Sequence, residues 1–174
     1  MRGVLGASSL VDVSVSNNGI ARVVLNNPAK RNALSSAMVS ALSQQLGAVR
    51  ADKTVRMVVM EGAGHVFSSG HDLKELQGMD AREADALFKA SARMMSDIQA
   101  LPVPVLARLD GLAAAAGLQL LSSCDMAVCT KSATFSTPGV RFGLFCTTPS
   151  VAAWRSSYSA KALSHMLFLS LIHI

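Results

Sequence analysis

The sequence is poor in several features that would assign it to a common class of protein. Aromatic residues make up 5% of the 174 residues, so Ala, Val, Leu and Met must fill the core of a chain that is 51% hydrophobic. No apolar run approaches the roughly 20 residues that cross a bilayer, which predicts no membrane-spanning helix. Cys124, Cys129 and Cys146 are odd in number and form no C-x-x-C pair. We therefore expect reduced thiols buried in the core, and a reducing compartment.

Carboxylates are absent after Asp125. Residues 126–174 carry four Lys/Arg and no acid, whereas residues 1–125 carry twelve Lys/Arg and eleven acids. A basic sector can face phosphate-bearing ligands or nucleic acid. Because the cations do not cluster and few aromatic residues lie between them, scattered surface residues explain the pattern as well. Nucleic-acid binding is therefore a minor alternative.

Hydrophobic periodicity predicts strands that alternate with helices. Residues 11–26 alternate on both sides of "NNG", which predicts a β-hairpin. Ser35 caps a first helix, and Asp80 with Glu83 forms a capping box for a long helix that Pro102 ends. Further strands are predicted at "VRMVVMEG", "VLARLDG" and "DMAVCT", with helical residues at 149–169. The chain is thus expected to form an α/β domain with parallel strand pairing.

Two loops rich in small residues follow neighbouring predicted strands. They are "HVFSSGHDLKEL" at 65–76 and "GLAAAAGLQLL" at 111–121, and each leads into a helix. Small residues let another group approach backbone N–H donors, which suit an anion or a carbonyl that develops negative charge. Tight packing of a helix against a sheet also calls for small residues, so both interpretations stay open for either loop alone. Two such loops together favour an oxyanion hole for a thioester.

Four segments resemble the enoyl-CoA hydratase/isomerase (crotonase) superfamily. They are "NNPAKRNALS", "VFSSGHDLKEL", "PVPVLARLDGLAAAAGLQLLSSCDMAV" and "ATFSTPGVRFGLF", in the order of the family and near its spacing. The resemblance covers roughly residues 11 to 155. It implies an α/β fold with a crotonase/ClpP-like spiral core of ββα units. It also implies that the C-terminal helical region, through which family members form trimers, is largely missing.

The resemblance also implies a binding site for an acyl-CoA thioester. The backbone N–H groups of His71 and Ala116 correspond to the two oxyanion donors of the family. The loop between Ala29 and Leu34 corresponds to the segment that borders the CoA nucleotide and its pantetheine arm. The substrate-binding positions implied in this way are Lys30, Arg31, Ala33, Leu34, Ser69, Gly70, Asp72, Lys74 and Gly117.

Both carboxylates that family hydratases use are replaced in this chain. The first position, three residues after the second oxyanion amide, is Gln119, and the second, after the proline of "TP", is Gly139. Hydration needs a group that activates water and a group that protonates the α-carbon. An amide holds water but does not take its proton at neutral pH. We therefore expect hydratase activity to be weak or absent, while a reaction that needs no base, such as decarboxylation, stays open.

Other polar residues are interpreted as structural. Asp72 is expected to start a helix, Asp125 to hold a strand, and the imidazole of His71 to lie outside the chemistry, with a role as base as the alternative. His65 and His71 lack a third ligand at a suitable spacing, so no metal site is predicted. No cofactor is expected besides the CoA thioester, which is substrate or ligand.

The resemblance divides the chain into an N-terminal stub at 1–10, a core domain at 11–157 and a truncated or aberrant C-terminal helix at 158–174. It implies a homo-trimer, which the truncation would impair, and the mitochondrial matrix, with the cytoplasm as the alternative. The expected function is acyl-CoA binding in fatty-acid metabolism with the oxyanion hole retained. The competing hypotheses are a non-catalytic regulatory or scaffold protein of the same fold and, less favoured, an RNA-binding protein.

Overall fold

A mixed sheet carries the N-terminal hairpin and the parallel strands. The computed structural model describes residues 2–4, 10–155 and 159–173. Within these residues the larger sheet has six strands in the order β1-β2-β3-β4-β6-β8. They are β1 Arg2–Val4, β2 Val11–Val15, β3 Ile20–Leu25, β4 Met57–Gly62, β6 Val105–Leu109 and β8 Met126–Cys129. β1, β2 and β3 pair antiparallel and the others parallel, which confirms the predicted hairpin and the parallel pairing.

A smaller sheet lies beside the loops that the sequence singles out. Its order in the described part is β10-β9-β7-β5, and its strands are β5 Val66–Ser68, β7 Leu112–Ala114, β9 Thr134–Ser136 and β10 Leu171–His173. β5, β7 and β9 pair parallel, whereas β10 pairs antiparallel with β9. Because parallel strands end at the same edge, the loops after β5 and β7 leave the sheet side by side.

Six helices connect or cover the strands in the described residues. They are α1 Ser36–Ala51, α2 Leu73–Gln77, α3 Ala81–Gln99, α4 Ala116–Ser122, α5 Thr147–Arg155 and α6 Ala160–Leu169. The predicted caps are present: the Ser35 side chain accepts from the Met38 N–H, and Asp80 and Glu83 form a capping box. Single 3-10 turns form at Pro28–Lys30 and Pro138–Phe142. No helix in the described part of the chain combines the length and apolar character that a bilayer crossing requires.

The core lies between the larger sheet and the helices α1 and α3. Alternate residues of β2 are buried, and α3 buries Leu87, Ser91, Met94, Met95 and Ile98. Leu101 falls beyond the end of α3 and is partly buried. The other face of the sheet carries the buried carboxylate of Glu61, which pairs with the exposed Arg22 and Arg108.

Two expectations differ from the structure. The three cysteines are free thiols, but Cys129 is exposed, because it lies on β8 at the edge of the larger sheet. Cys124 and Cys146 are partly buried, and burial raises the pKa of the Cys124 thiol to about 12. In the C-terminal segment, α6 ends at Leu169 and residues 171–173 form β10. The domain boundaries remain predictions.

Candidate functional site

One buried asparagine shapes the loop that follows β3. Asn32 has a positive φ of 50° and no exposed surface, and asparagine tolerates this left-handed conformation better than most residues. Its Nδ2 donates to the carbonyl oxygens of Ala63 and Val66 at 3.0 and 2.7 Å. Its Oδ1 accepts from the Asn27 N–H at 2.8 Å. Asn32 was not among the predicted site residues, although its place in the short polar segment "NNPAKRNALS" was the available signal.

The loop after β3 is hydrogen-bonded to the loop after β5. The Leu34 N–H donates to the Gly70 carbonyl at 2.8 Å, and the Ser69 N–H donates to the Arg31 carbonyl at 3.1 Å. Residues 34 and 71 form an isolated parallel bridge. These main-chain contacts make one wall of two segments that are 37 residues apart in sequence.

The start of α4 packs directly on the loop after β5. Gly70 has a φ of +90°, and a Cβ built on it would lie 2.9 Å from Ala115 Cβ and 3.1 Å from the Ala116 nitrogen. A Cβ on Gly117 would overlap the carbonyl oxygen of Ser68. Both glycines are therefore required by close approach, which supports packing as one reason for the small residues. The same packing places the Ala116 nitrogen next to Gly70, the residue before His71.

The two predicted oxyanion donors lie in this contact. Within residues 10–155, no protein acceptor pairs with the N–H of His71 or of Ala116. The Ala115 N–H donates to the Ser136 carbonyl at 2.9 Å, and Ala115 itself has φ 48° and ψ −122°. A non-glycine residue in this conformation is strained, and such strain concentrates at functional sites. The geometry leaves two adjacent amides free for an external acceptor.

A cleft of about 650 Å³ opens in front of this wall. Six of the nine predicted substrate-binding residues line it, namely Lys30, Arg31, Ala33, Ser69, Asp72 and Lys74, and so does the predicted oxyanion residue His71. Leu34, Gly70, Ala116 and Gly117 do not line it but lie in the contacts directly behind it. Ala114 and Ser136 form part of the lining next to Ala115.

The cleft is basic. Lys30 Nζ lies 3.2 Å from Asp72 Oδ2, and Asp72 also caps α2 through the N–H groups of Lys74 and Glu75. Burial alone would raise the pKa of Asp72, but the Glu75 N–H and Lys30 outweigh it and lower the pKa below its ordinary value. Arg31, Lys74 and Arg141 also line the cleft, and none of them has a carboxylate partner among the described residues. The cations exceed the carboxylate, so the potential favours an anionic ligand.

The His71 imidazole is packed away from solvent. Its Nδ1 lies 3.2 Å from the Leu34 carbonyl oxygen, and its ring meets Phe88 edge-on with centroids 5.1 Å apart. A carbonyl only accepts, so Nδ1 carries the proton in this pair. Burial lowers the pKa of His71, although the Leu34 carbonyl and Glu75 oppose the shift. The ring is therefore neutral at pH 7.

The two positions of the missing carboxylates do not share this cleft. Gln119 lines a separate cleft of about 810 Å³ between α3, α4 and α5. Gly139 donates its N–H to Cys146 Sγ at 3.3 Å, and a Cβ on Gly139 would lie 2.8 Å from that sulfur. A larger residue at 139 therefore requires the following loop to move. Among the described residues the lining of the basic cleft includes one carboxylate, Asp72, which is held by Lys30.

Two cleft residues are missing from the sequence predictions. Arg141 is one of the four cations counted after residue 125, and Phe142 lies in the family-like segment "ATFSTPGVRFGLF", but neither was predicted to belong to the site. Both line the basic cleft. The signal available was an Arg–aromatic pair within an acid-free segment. In the described residues no group of three or more His, Cys, Asp or Glu is arranged to hold a metal ion.

Comparisons with known proteins identify the relatives of this fold. The sequence profile described as enoyl-CoA hydratase/isomerase matches residues 15–169. The mitochondrial enoyl-CoA hydratase domain-containing protein 3 of Danio rerio is 43% identical over 163 residues, which cover 93% of this chain and 56% of that protein. Its human counterpart is 46% identical over 152 residues, which cover 87% of this chain and 50% of that protein.

Solved structures from the same family share the fold of this chain. The crystal structure of human enoyl-CoA hydratase domain-containing protein 3 superposes with a TM-score of 0.87 at 41% identity, over 94% of this chain and 64% of that one. An enoyl-CoA hydratase of Mycobacterium smegmatis superposes with a TM-score of 0.89 at 41% identity, with the same coverage. The chain spans about half the length of the curated relatives that it matches.

Proposed function

The chain belongs to the enoyl-CoA hydratase/isomerase family, and from this membership we propose that it binds an acyl-CoA thioester without the usual hydratase chemistry. The thioester carbonyl oxygen accepts hydrogen bonds from the N–H groups of His71 and Ala116. The phosphates of CoA meet the cations of the basic cleft. Gln119 and Gly139, in place of two carboxylates, leave the acyl group without the water-activating base of a hydratase.

The observation that carries the proposal is the contact between Gly70 and Ala116. It brings together two amides that have no protein acceptor within residues 10–155; His71 lines the basic cleft, and Ala116 lies directly behind that lining. Ala116 is the first residue of α4, where the helix leaves its N–H groups unpaired. Two such donors stabilise the negative charge that develops on a thioester oxygen when an enolate forms. The site thus supports binding and polarisation of the thioester.

The charges of the cleft support CoA as the carrier of the acyl group. Lys30 and Arg31 stand on the loop after β3, and Lys74 stands in α2, directly after the loop that follows β5. Lysine and arginine bind phosphates, and arginine does so with two parallel hydrogen bonds. The nucleotide and pantetheine arm therefore lie along the loops after β3 and β5, with the thioester at the start of α4.

The residues at 119 and 139 explain why hydration is expected to be slow. Positioned acid–base groups contribute about 10²- to 10⁴-fold to a reaction rate. Gln119 does not accept a proton at neutral pH, and Gly139 has no side chain. The neutral His71 ring is engaged by Leu34 and Phe88, so it does not replace either carboxylate. A reaction that forms an enolate without a base is compatible with the remaining groups.

Assembly and location follow from the family. We infer that the protein assembles as a homo-trimer. The relatives named mitochondrial support a mitochondrial location, and we propose the matrix as the compartment. Fatty-acid metabolism is the context in which such a protein meets its ligands.

Isothermal titration with butanoyl-, octanoyl- and palmitoyl-CoA tests the proposal. The expected result is binding of at least one ester, weakened in Ala116→Pro, because proline lacks the N–H that donates to the thioester oxygen. Thermal unfolding shows whether the variant folds. Ala81→Pro is the matched control, since Ala81 is the first residue of α3. No heat with any ester from the folded wild-type protein would overturn the proposal. In that case the non-catalytic scaffold hypothesis gains.

A further inference from the structure

The end of β9 links the C-terminal strand β10 to the start of α4, where one of the two proposed oxyanion donors lies. We propose that Ser136 and Ser170 are positioning residues for this donor, the Ala116 N–H, and that they thereby set how strongly a bound thioester is polarised. Neither serine was predicted to belong to the site. This inference rests on the proposed function and adds to it the means by which the chain holds one donor in place.

The direction of the Ala116 N–H is set by the peptide group that it shares with Ala115. The Ala115 carbonyl accepts from the N–H groups of Leu118 and Gln119 at 3.0 and 3.1 Å, so it points into α4. In a trans peptide group the N–H points away from the carbonyl of the same plane. The Ala116 N–H therefore points out of the helix, and a rotation of this peptide plane would turn it.

Ala115 is held in its conformation by β9. Its φ of 48° and ψ of −122° are unusual for alanine, and such strain persists only where the surrounding structure enforces it. Its N–H donates to the Ser136 carbonyl at 2.9 Å, which fixes the residue directly before the peptide plane that carries the donor. The Ser136 carbonyl is therefore part of what sets that plane, and a displacement of Ser136 would turn the Ala116 N–H.

Ser136 is tied in turn to Ser170, which lies between α6 and β10. Both serines are buried, with 5% of Ser136 and 1% of Ser170 exposed. Ser136 Oγ lies 2.5 Å from the Ser170 carbonyl oxygen and 3.3 Å from Ser170 Oγ. A carbonyl only accepts, so the Ser136 hydroxyl donates to it, and the Ser170 hydroxyl then donates to Ser136 Oγ. Each serine is thereby both donor and acceptor towards the other.

The backbone at Ser170 favours glycine, yet a serine stands there. Ser170 has a φ of 76°, in the left-handed region that glycine adopts at no steric cost. Its N–H donates to the Met166 carbonyl at 2.9 Å, and its carbonyl also accepts from the Thr137 N–H at 3.1 Å. Glycine would make the same main-chain contacts without the hydroxyl. The hydroxyl that pairs with Ser136 is therefore what serine adds at this position.

Loss of either hydroxyl loosens the end of β9 while the main-chain pairing remains. β9 pairs parallel with β7 and antiparallel with β10, whatever side chain stands at 136. The displacement acts on the angle of the hydrogen bond from Ala116, and such bonds weaken steeply as donor and acceptor lose alignment. A carbonyl oxygen in the ligand senses this change, whereas the CoA arm, placed along the loops after β3 and β5, does not. The defect is therefore specific to the carbonyl.

The first experiment compares butanoyl-CoA with S-butyl-CoA, a thioether that has the same arm and chain length but no carbonyl oxygen. In isothermal titration Ser136→Ala is expected to bind butanoyl-CoA about threefold to tenfold more weakly than wild type, the equivalent of one weakened hydrogen bond, and to bind S-butyl-CoA equally well. Ser123→Ala is the matched control, because Ser123 is 5% exposed and its hydroxyl donates to the Gln119 carbonyl at 2.8 Å. It should bind both ligands like wild type.

The second experiment measures polarisation directly. In infrared difference spectra of butanoyl-CoA with an isotope-labelled carbonyl, two N–H donors should lower the carbonyl stretching frequency on binding to wild type. In Ser136→Ala and Ser170→Gly the band is expected to return part of the way to the frequency of the free ester. Ser170→Gly keeps the left-handed backbone, so it carries the test if thermal unfolding shows that Ser136→Ala does not fold.

The outcomes separate this inference from the proposed function. If wild-type protein does not bind butanoyl-CoA, or binds it no more tightly than S-butyl-CoA and leaves its carbonyl band unshifted, the proposed function fails and the inference fails with it. If wild type distinguishes the two ligands and both serine variants do so to the same extent, the inference is wrong and the proposed function stands. An equal loss of affinity for both ligands would show that the serines support the cleft as a whole, which also overturns the inference.

Discussion

Two regions of the molecule would have to cooperate in a hydratase, and they differ in how they are built. The amide site, made of the backbone of His71 and Ala116 with the loops around them, is joined by main-chain hydrogen bonds and close glycine contacts. The carboxylate positions, Gln119 and Gly139, line a different cleft or pack on Cys146. In the proposed function, thioester binding therefore depends on the path of the backbone, whereas acid–base chemistry depends on single side chains. Acid–base chemistry can therefore be lost while the amide site is kept.

The largest effect is expected where the amide site is packed most tightly. Gly117→Ala would push a Cβ into the Ser68 carbonyl, so we expect a loss of about 3 kcal/mol in the free energy of unfolding. Gly47→Ala is the matched control, since Gly47 lies in α1 with no atom within 4 Å of its Cβ position. It should stabilise by about 0.5–1 kcal/mol. Urea unfolding measures both, and equal effects would mean that α4 does not rest on β5.

Asn32→Ala tests the hydrogen bonds of the first loop. The side chain makes three hydrogen bonds and is fully buried, so its removal leaves the Ala63 and Val66 carbonyls without a donor. We expect a loss of about 2–3 kcal/mol and a weaker affinity for acyl-CoA, because Leu34 and Arg31 hold the second loop. Urea unfolding and titration check the two effects. Unchanged affinity in a destabilised variant would show that the loop does not shape the cleft.

Gly139→Glu examines the carboxylate positions. The new Cβ would lie 2.8 Å from Cys146 Sγ and 3.0 Å from the Leu144 carbonyl, so about 1–3 kcal/mol of stability should be lost. Adding Cys146→Ala should restore part of it. The double variant Gln119→Glu/Gly139→Glu is expected to stay a poor hydratase. The rate at which the enoyl thioester absorbance disappears measures this activity and should stay low. A rate gain of about 10²-fold or more would mean that both positions do face the thioester.

Local signals explain which parts of the fold and the site were predictable. The hairpin, the capping box at Asp80 and the helix start at Asp72 depend on neighbours within a few residues. The two amide loops were recognisable because their motifs encode backbone paths. The exposure of Cys129 and the formation of β10 depend on how strands far apart in the chain are arranged. Hydrophobic periodicity carries no information about that arrangement. For the same reason the separation of Gln119 from the basic cleft was not foreseen.

The smallest effect concerns pH and arises within the amide site, where His71 combines a proposed backbone donor with a side chain that packs against Leu34 and Phe88. Its pKa is lowered from 6.5 by burial, so below that pH the unfolded chain binds a proton that the native ring does not. Stability is therefore fully present above pH 6.5 and falls as the pH decreases toward the lower native pKa, where Glu75 is the charged group that opposes the shift. His71→Gln, which keeps a donor for the Leu34 carbonyl, should flatten this dependence in urea unfolding between pH 7 and 5 without abolishing acyl-CoA binding. A variant that keeps the wild-type pH slope would assign the slope to another group, and one that loses binding would give the imidazole a part in the site.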